Sequence, residues 1–142
     1  MVRDYKDLVV WQRGMELARA IYALTPALPA DERFGLTQQI RRAVVSIPSN
    51  IAEGHERRSR ADFKRFVAIA CGSVAEVETQ LELAVRLGFV GREAVDAAVQ
   101  LCGEIGRMLR AMERALREEA GIRELDELLP LFSQPSALSP QP

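Results

Sequence analysis

The chain has one histidine, His55, and two cysteines, Cys71 and Cys102, so a transition metal would find few donors. Such ions need three or four His, Cys or carboxylate ligands at set spacings. Neither Cys stands in a Cys-x-x-Cys pair, and the Glu-x-x-His pairs by which helical bundles hold two metals are absent. His55 lies in a basic stretch between Glu53 and Glu56 and reads as a solvated loop residue. Glu78 and Glu82 stand one helical turn apart, as on a solvated outer flank, while Glu76, nearer the inner flank, is placed to pair with an Arg of the second helix. Carboxylates do acid–base work only opposite a nucleophile or a base, and none is spaced for it. Ser46 and Ser49 have no Lys or His at useful helical spacing to activate them. No Gly-x-x-x-x-Gly-Lys-Ser/Thr phosphate loop occurs. The expectation is a protein that is not an enzyme and uses no metal or cofactor.

What remains is charge. Net charge is −1, but residues 33–65 hold eight basic side chains against three acidic ones, net +5, while residues 66–142 are net −5. Arg41 and Arg42 fall on the outside of one helix. Arg57, Arg58, Arg60, Lys64 and Arg65 fall in the following loop and the first turns of the next helix. A helix N-terminus adds its own positive field there. These seven cations form a candidate basic rim for the phosphates of RNA or DNA, with binding that ignores sequence and weakens with salt. So few aromatics stand nearby that base-specific readout is not expected. The alternative is a protein-binding module or accessory subunit that ignores nucleic acid.

Four amphipathic helices must position these groups. The pattern predicts helices at about 8–25, 35–54, 60–87 and 91–119 within one bundle domain, residues 1–121, and a tail over 122–142. Asp7 can cap the first helix, and Thr25-Pro26 ends it. Trp11 reads as a core or interface anchor with no aromatic neighbour. In the second helix Leu36, Ile40, Ala43, Val44, Ile47 and Ile51 share one side. Pro48 interrupts it with a kink, and Gly54 closes it. Ser59 with Asp62 reads as a capping box for the third helix, whose core stripe runs from Phe63 and Phe66 to Leu81. Its small residues between Ala68 and Ala75 invite close packing within or between chains. Gly88 ends it. The fourth helix repeats Val95, Ala98, Cys102, Ile105, Leu109, Met112 and Leu116 in steps of three and four, a left-handed bundle seam, and stops at Gly121. Short links make neighbours antiparallel, so the fold class is an all-α, up-down-up-down four-helix bundle. In that hairpin Cys71 and Cys102 are offset by ~9 Å along the axis, too far for the ~7 Å limit of a disulfide. Both read as reduced core residues. Residues 122–132 read as a short amphipathic segment docking on the bundle or on a neighbour, and the Pro- and Ser-rich end as disordered. No apolar run approaches the ~20 residues that cross a membrane, and the first residues have no signal-peptide core, so the expected address is the cytoplasm.

Four stretches also resemble a known family: Asp7-Leu8 with Val10-Trp11-Gln12; Phe34-Gly35-Leu36 with Gln39-Ile40-Arg41-Arg42-Ala43; Ser46 to Gly54, SIPSNIAEG; and Phe66 with Ala70, Gly72-Ser73, Glu76 and Glu78. Together they are similar to the bacterial four-helix-bundle proteins encoded in intervening sequences of the large-subunit ribosomal RNA gene, often labelled as a ribosomal protein. They also resemble the accessory variability protein of diversity-generating retroelements. The resemblance covers about residues 5–90. It implies a homopentamer, a barrel or funnel with an axial channel, without enzymatic activity. The retroelement proteins are strongly basic and bind nucleic acid. With a pI of about 5.9, this chain matches them in that respect only at the basic rim. The wide apolar faces of the first and third helices predict an oligomer independently.

Overall fold

The computed structural model describes residues 4–117 and 124–134. They form four long helices, α1 (Val9–Leu24), α2 (Leu36–Glu56), α3 (Arg60–Arg86) and α4 (Arg92–Arg117), then a single turn α5 (Leu125–Leu128) that runs into a 3-10 stretch, Leu129–Ser133. No strand occurs among the described residues. Each long helix packs on its neighbours in the chain, and α1 on α4, which closes an antiparallel up-down-up-down bundle.

The caps explain most of the boundaries, and two differ from expectation. The lead-in is itself a 3-10 turn, Tyr5–Asp7. Asp4 accepts the Lys6 N–H at 2.6 Å, and Asp7 accepts the Asp4 N–H at 3.3 Å. Asp7 therefore does not cap α1. Leu8 takes the cap position because its fully buried side chain must enter the core. Gly54 does not close α2 either. The helix continues to Glu56, and the chain reverses at Arg58, whose φ of 58° is the left-handed turn. Gly54 serves contact instead: a Cβ there would lie 2.6 Å from Phe66 Cβ and 3.0 Å from the Phe63 ring. Ser59 Oγ accepts the Asp62 N–H at 3.0 Å and starts α3. Gly88, at φ +76°, ends it, with the Phe89 and Gly88 N–H groups donating to Ala84 O and Val85 O, a Schellman closure.

Most of the apolar stripes meet in a main cluster that includes Leu17, Ile21, Ile47, Ile51, Phe63, Leu81, Ile105, Leu109 and Met112, and Leu36 joins Leu28 and Ala84 in a smaller one. Pro48 is buried inside the unbroken α2 and faces Gly14 of α1, where a Cβ would stand 3.5 Å away. That packing offsets the ~3 kcal/mol by which Pro disfavours a helix interior. Polar ties cross the bundle: Ser46 Oγ bonds Ser73 Oγ at 2.6 Å between α2 and α3, and Arg13 pairs with Glu104 at 2.9 Å between α1 and α4. Both cysteines are free thiols, Cys102 buried and Cys71 half-buried. Trp11 has an aromatic neighbour after all, the Tyr5 ring 5.5 Å away. Leu125, Leu128, Leu129 and Phe132 dock on this bundle, with the Phe132 ring 6.3 Å from Phe63. Among the described residues no helix is long and apolar enough to cross a membrane. The expected stop at Gly121 and the Pro- and Ser-rich end from 135 lie outside the described residues.

Candidate nucleic-acid interface

Five of the seven rim cations sit where α2 turns into α3. Arg57 caps the C-terminal end of α2, Arg58 makes the turn, and Arg60, Lys64 and Arg65 occupy the first two turns of α3. Arg57 and Arg65 both lie on the Phe66 ring, 5.3 and 4.6 Å from its centroid, and keep it 6% exposed. Stacking of this kind holds two guanidiniums in place beside each other. Each also has a carboxylate one turn away, Glu53 at 3.0 Å and Asp62 at 3.4 Å. Arg58 and Lys64 are exposed and have no ion-pair partner among the described residues. Arg60 differs from all four. Its Nε donates to Leu116 O at 2.8 Å and a terminal nitrogen donates to Ala115 O at 3.1 Å. It thus donates into the last described turn of α4, towards the helix C-terminus, where carbonyls and the helix dipole favour a cation.

The other two cations are elsewhere. Arg41 is sixteen residues before Arg57, about 24 Å along one helix axis. The expected single rim is therefore two groups, one towards each end of α2. Arg41 is half-buried: its Nε donates to Thr25 Oγ1 at 2.8 Å, and its guanidinium lies 4.6 Å from the Tyr22 centroid. Arg42 is exposed. Arg33 sits 5.2 Å from the centroid of Phe34, which at 78% is the most exposed large apolar residue among the described residues. These five side chains line an open groove of about 540 Å³ between α1 and α2. Sequence reasoning missed this union of aromatic and cationic groups. Tyr22 and Phe34 are far apart in the chain, and the only signal was Arg-Phe at 33–34.

The remaining candidates for chemistry are accounted for locally. His55 is not a solvated loop residue: it is 2% exposed, because α2 runs two residues beyond Gly54 and keeps it on the helix. Its ring meets Phe63 edge-on at 6.3 Å, and Nδ1 stands 3.3 Å from Glu56 Oε1. Leu125, Asp126 and Leu129 close a small cavity of about 280 Å³ beside it. Glu76 is exposed without the expected Arg partner among the described residues. Glu82 takes both terminal nitrogens of Arg92, at 2.8 and 3.1 Å, and the Nε of Arg86 at 3.2 Å. The Arg92 hydrogen bonds hold its carboxyl down at about 2. Among the described residues no cluster of His, Cys, Asp and Glu could hold a metal ion.

Comparison with known proteins agrees with this architecture. The family model for the 23S rRNA-intervening sequence protein matches residues 6–111. A solved structure is similar: a protein of unknown function from the S23 ribosomal protein family of Bacteroides thetaiotaomicron VPI-5482. It is 31% identical, with a TM-score of 0.69, over 74% of this chain and 98% of that one. No curated protein matches. No catalytic family is indicated by these likenesses. With about three quarters of its length covered by the family model, this chain belongs to the family of 23S rRNA-intervening sequence proteins.

Proposed function

We propose that the protein is a non-catalytic scaffold of several copies whose α2–α3 turn holds the phosphate backbone of RNA or DNA. The observation that carries this is the set of Arg57, Arg58, Lys64 and Arg65 at one corner, two of them held against Phe66 and two without a carboxylate partner among the described residues. Cations fixed in this way contact phosphates without the cost of ordering long side chains. Arg60 supports the corner by fixing it to α4 and is not a backbone contact in this reading. Association of copies, five by the resemblance to the pentameric family, is supported by the outward side of α3, where Ile69 and Leu83 are each 44% exposed.

Anisotropy of labelled RNA hairpin and DNA duplex tests the reading at about 50 and 200 mM salt. Both are expected to bind, more weakly at the higher salt. Arg58→Ala with Lys64→Ala should weaken both alike and flatten the salt slope by about 2. No binding at the lower salt would end the proposal. The rival, a module for a protein partner alone, predicts that outcome.

A further inference from the structure

The groove between α1 and α2 has contents that phosphate contact alone does not explain. Phe34 projects with 78% of its surface exposed, and Tyr22 with 45%. A single exposed ring would be ordinary, but two rings that line one groove together mark a contact surface. Arg33 and Arg41 each lie against one of these rings, and Arg42 joins them with no ion-pair partner among the described residues. None of the residues lining the groove is acidic. Thr37 and Gln38, on the same wall, offer a hydroxyl and an amide. Three guanidiniums without a carboxylate favour an anionic occupant. Covering them with an apolar partner face would strip their water without compensation. Planar, exposed rings beside them favour an occupant with flat π faces and charge, which are the two parts of an unpaired nucleotide. A duplex offers only its phosphates, because its bases already stack on one another.

We propose that this groove takes an unpaired nucleotide of a single-stranded stretch, its base stacked on Phe34 and its phosphate met by Arg42. Arg33 and Arg41 set the two rings by resting on them, and Gln38 reaches the base edge. The inference rests on the nucleic-acid reading given above but uses a separate group of residues, about 24 Å along α2 from the turn cations. A single strand spanning both would run along α2.

Phe34→Ala is suited to the test, because a side chain this exposed contributes little to folding. Anisotropy of a labelled oligouridylate and of a duplex of equal length is measured for wild type, Phe34→Ala and Arg58→Ala/Lys64→Ala, with light-scattering mass recorded for each. Phe34→Ala should weaken the oligouridylate about ten-fold or more, the usual worth of one stacked base, and leave the duplex unchanged. The double variant should weaken both. Duplex binding that persists while Phe34→Ala leaves the single strand unaffected would overturn this inference alone. Failure of wild type to bind either would overturn both proposals. A fall in assembly mass on Phe34→Ala would assign the groove to contact between copies and overturn it as well.

Discussion

Gly54 shows how much one hydrogen atom decides in this bundle. Its missing side chain lets α2 and α3 approach until any other residue here would place its Cβ only 2.6 Å from Phe66 Cβ. Phe66 Cβ is tied to its backbone, so relief requires the helices to part. Gly54→Ala is expected to cost about 1–3 kcal/mol, the usual range for overpacking. This reads as a lower urea midpoint at constant slope; an unchanged midpoint would show that α2 and α3 adjust freely. The thiols follow a similar local rule. Burial first, then the Glu113 carboxylate, pushes Cys71 up to about 12; burial, then Glu78, does the same for Cys102. A thiol raised on folding stabilises the fold fully below its ordinary value of 9.0, and that contribution is lost as pH rises towards 12. Stability should therefore decline with pH above about 9. At pH 8 a disulfide reagent should label native Cys102 far more slowly than the urea-unfolded chain, with half-buried Cys71 reacting first. Rapid native labelling of Cys102 would contradict its burial.

At the scale of the element, the turn between α2 and α3 is tied to the far end of α4. Arg60 supplies two charged donors to the Ala115 and Leu116 carbonyls, in the last described turn of that helix. Arg60→Ala should lower stability by about 1–2 kcal/mol, since hydrogen bonds from charged groups contribute somewhat more than neutral ones. Amide exchange should quicken in the last turn of α4 and stay unchanged in α1. Arg60→Lys should not restore protection, because one ammonium does not reproduce the fork that reaches both oxygens. Full protection in either variant would make this cap dispensable. The α3–α4 hairpin has its own clasp, Glu82 with Arg92 and Arg86. That carboxyl is held at about 2, so the clasp is present above the ordinary 4.5 and is lost as pH falls towards 2.

For the whole molecule the outward side of α3 is decisive. A Cβ at Gly72 would meet nothing within 4 Å, although Ala68 and Ala75 beside it are also small. In a lone chain Gly72→Ala would only stabilise α3, by up to about 1 kcal/mol. With copies packed on this side, Gly72→Leu should lower the light-scattering mass towards one chain while helicity by circular dichroism holds. An unchanged multimeric mass would place the interface elsewhere, and a wild-type mass of one chain would remove the scaffold from the proposed function.

The amino-acid sequence alone determined the four helices, their inward stripes and several of their ends. Each rests on neighbours within a turn or two: the 3.6-residue period from Phe63 to Leu81 and Val95 to Leu116, Ser59 before Asp62, Gly88 after Leu87. The family likeness was legible for the same reason, in unbroken strings such as SIPSNIAEG. Only the tertiary structure decided what His55, Gly54, Arg41 and Arg60 do. Their partners are Phe63, Phe66, Thr25 and Leu116, on other elements. Periodicity states which side of a helix turns inward. Which residues then meet depends on how far the helices slide and how closely they approach, and that is set by the packing of all four at once.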